Sequence, residues 1–113
     1  MEPNDRFLLE TILGYCEDVS AAIKRFNITE SVISEDLDMR AMLAFFVQQI
    51  GETANKLSEA FKNEYPEIEW GAIVGMRNRI VHAYGKIIPV FLWDATTTDV
   101  PELDDFCRRV LGI

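Results

Sequence analysis

The sequence predicts an all-α, up-and-down bundle of four to five helices, and three observations carry that expectation. Apolar residues recur at three- and four-residue steps over long stretches. There is little sign of the alternation that marks a strand. Glycine and proline are sparse, at 6 and 4 residues, and fall mostly between the helical patterns.

The first helix is expected from Asp5 to about Phe26, where Leu8, Ile12, Tyr15, Cys16, Val19, Ile23 and Phe26 form one stripe. Asn27-Ile28-Thr29 breaks it, and Thr29 is placed to cap a short helical turn through about Ser34. A long helix should follow from about Asp36 to Asn63, with Leu43, Phe46, Val47, Ile50, Ala54, Leu57 and Phe61 as its main stripe. Met39, Met42, Phe45 and Gln49 make a second stripe beside it, more surface than one neighbour needs. Such a helix is either central or a dimer face. Gly51 sits mid-helix, where it costs about 1 kcal/mol relative to Ala, and close approach of another helix would justify it. After Tyr65-Pro66 a third helix should start near 66–69 and carry Ile73, Val74, Met76, Ile80 and Val81 to Tyr84. Gly85 is suited to end it in a left-handed conformation. Pro89 could open a fourth helix to about Thr97, and Pro101 a last one with Leu103, Phe106, Val110 and Leu111 buried.

The 113 residues make one domain, 1–113, with 49% hydrophobic and 27% charged residues, as in a globular protein. No apolar run is long enough to span a membrane, and the opening residues lack a secretory pattern, so the expected location is cytoplasmic. Cys16 and Cys107 stand alone, without the spacing of a zinc site or a disulfide framework, and are expected as small core residues. A formal net charge of -8 argues against broad nucleic-acid binding, which needs a basic face.

One window departs from this acidity. From Trp70 to Trp93 there are three basic residues, Arg77, Arg79 and Lys86, and no Asp or Glu. The rest of the chain holds eight basic against 19 acidic residues, or -11. The same window contains Asn78, the only histidine, His82, and Tyr84. An anion-friendly segment with one imidazole is suited to chemistry on a phosphate. On an ideal helix Asn78 and His82 share a face, as do Arg77, Val81 and Tyr84. Arg77 and His82, five apart, differ by about 140°, so they meet only through arginine's length or a distorted last turn. A two-fold dimer would set a second copy of the motif opposite the first.

Such a set could cleave RNA without metal. His82 would accept the proton of a ribose 2′-OH, and Arg77 would hold phosphate oxygens as charge builds. Asn78 would support the phosphate or the imidazole, Tyr84 would offer a hydroxyl or a ring, and Arg79 is expected outside the reaction, exposed or steering phosphate. Plainer roles stay open on the residues alone: His82 as a helix-end cation, Arg77 in an ordinary salt bridge, Tyr84 as a half-buried aromatic. Glu52, Glu59 and Asp36 are expected in solvent, with Glu52 unusual between Gly51 and Thr53.

Arg77-Asn78-xxx-His82-x-Tyr84 resembles the R-N-x-x-x-H-x-Y signature of HEPN-domain proteins of the HepT type. Ile50-Gly51-Glu52 with Ala54-Asn55-Lys56-Leu57-Ser58 resembles a second segment of that family, and Pro66-x-Ile68-x-Trp70-x-x-Ile73-x-Gly75-Met76-Arg77-Asn78 a third. Trp93 and Val100-Pro101-x-Leu103 resemble its closing elements, so the likeness covers about residues 5 to 111. It implies a HEPN fold, a homodimer with the motif near the dimer cleft, and a metal-independent endoribonuclease without cofactor. It also implies the toxin of a toxin–antitoxin module whose partner, MntA, is a nucleotidyltransferase that adenylylates the motif tyrosine. Carried over, Arg77 and His82 become the catalytic pair, Asn78 a supporting group and Tyr84 the modification site. Thr53 replaces the usual alanine. Ile88 stands where the family commonly has an aspartate, leaving Pro89 to start the next helix. The alternative is a catalytically weak HEPN module that mainly complexes the nucleotidyltransferase or a nucleotide, and a purely structural helical dimer is a third reading.

Overall fold

The computed structural model of the chain describes residues 1–81 and 88–113. The elements in order are α1 (Pro3–Arg25), α2 (Glu30–Glu35), α3 (Leu37–Asn55), α4 (Glu59–Glu64), α5 (Trp70–Val81), α6 (Pro89–Asp94), a π-helical turn (Ala95–Asp99) and α7 (Val100–Leu111). Among the described residues there is no strand. The all-α expectation holds. Packing runs in a chain across the bundle: α7 against α1, α1 against α3, and α3 against α5.

Local chemistry sets the boundaries. Asn27 adopts φ 50 just beyond α1, and the Ile28 amide donates back to the Ile23 carbonyl at 2.9 Å. Asparagine tolerates this left-handed turn better than most residues. Thr29 caps α2, its hydroxyl accepting from the Val32 amide. Asp36 does the same for α3, one carboxylate oxygen accepting from the amides of Asp38 and Met39 at 3.0 and 3.1 Å. Asp36 is thus a cap rather than an idle solvated acid. Inside, Leu9, Ile12, Cys16, Leu43, Val47, Ile50, Leu103 and Phe106 are buried. Full burial of each large apolar side chain contributes about 1.5–3 kcal/mol. Both cysteines are buried in this core.

Two expectations need correction. The helix foreseen from Asp36 to Asn63 is two helices, with a break at residues 56–58. Its cause is Ser58, whose hydroxyl accepts from the Phe61 amide to cap α4. Ser58 is held there by buried Asp5 of α1, which accepts from its amide at 2.9 Å and its hydroxyl at 2.7 Å. The closing two helices are, conversely, one continuous path. Asp94, Ala95, Asp99 and Val100 all keep helical dihedrals, and the Val100 amide reaches back five residues to Ala95. Pro101 lacks the N–H that Thr97 O would accept, and its ring crowds that carbonyl, so the turn widens. Thr96 and Thr97 hydroxyls donate to the carbonyls of Leu92 and Trp93 at 2.9 and 2.7 Å.

The second stripe of α3 is divided. Met39 and Met42 pack against the edge of the core, whereas Phe45 faces outward and is 52% exposed. Among the described residues, no helix is long and apolar enough to cross a membrane.

Candidate active site

α5 is anchored at its start and loaded at its far end. The Trp70 indole N–H donates to the Tyr65 carbonyl at 3.0 Å, and Phe61, Tyr65, Trp70 and Phe106 form one aromatic cluster, edge-on except for the tilted Phe61–Tyr65 pair. Such pairs add about 0.5–1.5 kcal/mol beyond area burial. From this base Ile73, Met76 and Ile80 turn into the core at three- and four-residue steps. The helix therefore presents Arg77, Asn78 and Arg79 in its last turns with fixed rotation.

Arg77 faces α3. An added Cβ on Gly51 would lie 2.6 Å from Arg77 Cβ and 3.0 Å from both its backbone nitrogen and the Ile73 carbonyl. The expected close helix approach is real, and α5 is the helix that makes it. Arg77 Nε donates to Glu52 Oε2 at 2.8 Å, and Arg77 Nη1 donates to Asn78 Oδ1 at 2.9 Å. Both partners of the ion pair are more than a third exposed, at 37% and 38%. A pair so wetted contributes only about 0–1 kcal/mol, so its consequence is orientation more than stability. Glu52 is thus not the free solvated acid expected from the sequence, and its unusual setting there has a structural counterpart.

Arg79 is exposed, as anticipated, but not idle: its guanidinium lies 3.6 Å above the centre of the Phe91 ring. This stack joins the end of α5 to α6. α6 itself starts without a side-chain cap, with extended Ile88 before Pro89, as the missing aspartate implied. His82, Tyr84, Gly85 and Lys86 lie outside the described residues. Of the four expected site residues, Arg77 and Asn78 are brought together directly. Among the described residues, no group of three His, Cys, Asp or Glu side chains could hold a metal ion.

Residues 12–110 match the sequence profile of the ribonuclease HepT-like family, from α1 through nearly the whole of α7. The chain belongs to this family. A HepT-like fold thus carries the Arg77-Asn78 pair at the end of α5. Among its relatives is a protein of Thermococcus cleftensis named as a probable ribonuclease HepT, 31% identical over 79% of this chain and 86% of the relative. A provisionally named RNase of Caldanaerobacter subterraneus subsp. tengcongensis is 26% identical over 91% of this chain and 90% of its own length. A provisionally named RNase of Methanocaldococcus jannaschii is 27% identical over 84% and 85%. No solved structure matches the chain significantly.

Two neighbours of the candidate site were not placed there by the sequence. Glu52 shares no helix with Arg77 and lies 25 residues away, so only its odd setting beside Gly51 hinted at a role. Phe91 gave no signal, because a helix-start aromatic after a proline reads as core.

Proposed function

We propose that this HepT-like chain is a metal-independent endoribonuclease acting as the toxin of a toxin–antitoxin module, with a nucleotidyltransferase of the MntA type as its antitoxin. The observation that carries this reading is Arg77 joined to Asn78 at the end of α5, in a member of a ribonuclease family. In this reading His82 removes the proton of a ribose 2′-OH. The 2′ oxygen attacks the adjacent phosphorus, and the bond to the 5′ oxygen breaks, leaving a 2′,3′-cyclic phosphate. The departing 5′ oxygen takes up a proton. Arg77, always charged, holds the phosphate oxygens as negative charge develops, and Asn78 supports its guanidinium. Adenylylation of Tyr84, with AMP transferred from ATP and pyrophosphate released, would set a competing phosphate beside the same cations. A homodimer, for which outward-facing Phe45 on α3 offers apolar surface, would double the positive charge of the cleft.

A second reading is favoured by charge. At -8 overall, and with Glu52 on Arg77, the chain repels RNA from most of its surface and could act chiefly by binding a basic nucleotidyltransferase. One experiment separates the two: cleavage of bulk tRNA and mRNA in excess EDTA by protein shown by mass to be unmodified. Cleavage with cyclic-phosphate ends, lost in His82→Ala and Arg77→Ala while both remain folded, is the expected result. Intact RNA with wild-type protein would transfer the assignment to the binding module.

A further inference from the structure

Glu52 touches the proposed chemistry without having a part in it. An acid beside the arginine that must hold a polyanion weakens local positive potential, so attraction of RNA does not explain it. Geometry does. The carboxylate takes Arg77 Nε at 2.8 Å and Asn78 Oδ1 takes Nη1 at 2.9 Å. Two hydrogen bonds at two nitrogens of a planar group fix both its plane and its direction. They also leave Nη2, to which no described residue is hydrogen-bonded, as the edge for a phosphate.

The base of this arrangement is rigid. Gly51, next to Glu52, lets the α3 backbone lie against Arg77 Cβ and the Ile73 carbonyl, where a Cβ would collide at 2.6 Å. The Glu52 carboxylate and the guanidinium thus extend from two backbones whose separation is set by the absence of a methyl group. We propose that Glu52 is a positioning residue, aiming the Arg77 guanidinium at the scissile phosphate. This rests on the reading of Arg77 as the phosphate-holding group.

The test pairs two readouts on the full chain. In the RNA cleavage assay, Glu52→Ala should lower kcat by about 10–100-fold, as loss of orientation does. KM should stay the same or fall, because a negative charge has left the site. Glu52→Gln should recover most of kcat, since its amide oxygen can still accept from Nε. Glu52→Asp, charged but one methylene shorter, should lose kcat with no fall in KM. By NMR, the Arg77 Nε–Hε signal should move furthest in Glu52→Ala and stay closer to its wild-type place in Glu52→Gln, whose neutral acceptor makes a weaker bond. An unchanged or higher kcat in Glu52→Ala overturns the proposal, for the carboxylate would then only compete with substrate. Failure of Glu52→Gln to recover activity while its Nε signal stays closer to wild type than that of Glu52→Ala also overturns it. Should wild-type protein leave RNA intact, the ribonuclease reading fails by itself. The arginine signal then decides the restraint alone: unmoved in Glu52→Ala it refutes the restraint, and moved it upholds it.

Discussion

A single missing methyl at Gly51 sets how closely α3 and α5 approach. Gly51→Ala puts a Cβ 2.6 Å from Arg77 Cβ and 3.0 Å from two backbone atoms, neither of which can rotate away. The expected outcome is a destabilisation of about 1–3 kcal/mol, read as a lower urea midpoint with unchanged m-value. The Arg77 guanidinium should shift with it, since its helix must move outward. This part of the site was legible, because a glycine in mid-helix costs stability unless something needs the space. The identity of the approaching helix was not legible, nor was the meeting of Glu52 with Arg77. Side-chain pairs 25 residues apart leave no periodic trace in a sequence.

Between residues and the bundle, α2, α3 and α4 begin where a side chain accepts from otherwise unpaired amides. Asp36 satisfies two at the start of α3. Asp36→Ala should therefore cost about 0.5–2 kcal/mol in thermal or urea unfolding, and Asp36→Ser should recover much of it. The three- and four-residue apolar steps made α1 and the start of α3 readable from sequence, and the Thr29 cap did the same for α2. The break at residues 56–58 was not readable, since Ser58 looks like any polar residue of a helix until Asp5, 53 residues away, takes its amide and hydroxyl. The π turn was hidden differently. Pro101 was recognised as a helix-start residue, but a widened turn meets its demands without ending the helix.

Across the whole molecule, two thiols share the interior between α1 and α7 and make stability sensitive to alkali. Burial, then neighbouring Asp104, pushes the Cys107 thiol from the ordinary 9.0 up to about 12, and burial first, then Cys107, raises Cys16 as well. Above the ordinary value the unfolded chain loses these protons while the folded chain keeps them. Stability should thus be level up to about pH 9 and fall toward pH 12 by about 1.4 kcal/mol per unit per thiol. Denaturation at pH 8 and 10 checks this, and Cys107→Ala should show the shallower fall. The all-α architecture was legible at this scale because length, periodicity and sparse breakers all agreed. Which helices would neighbour one another was not. The Asp5–Ser58 link has one more consequence. A helix's first turn normally frays alone, yet here the opening turn of α1 also secures the start of α4. Deuterium should therefore enter the Ser58 and Phe61 amides in step with the first turn of α1, so that a fluctuation near one end of the chain registers at its middle.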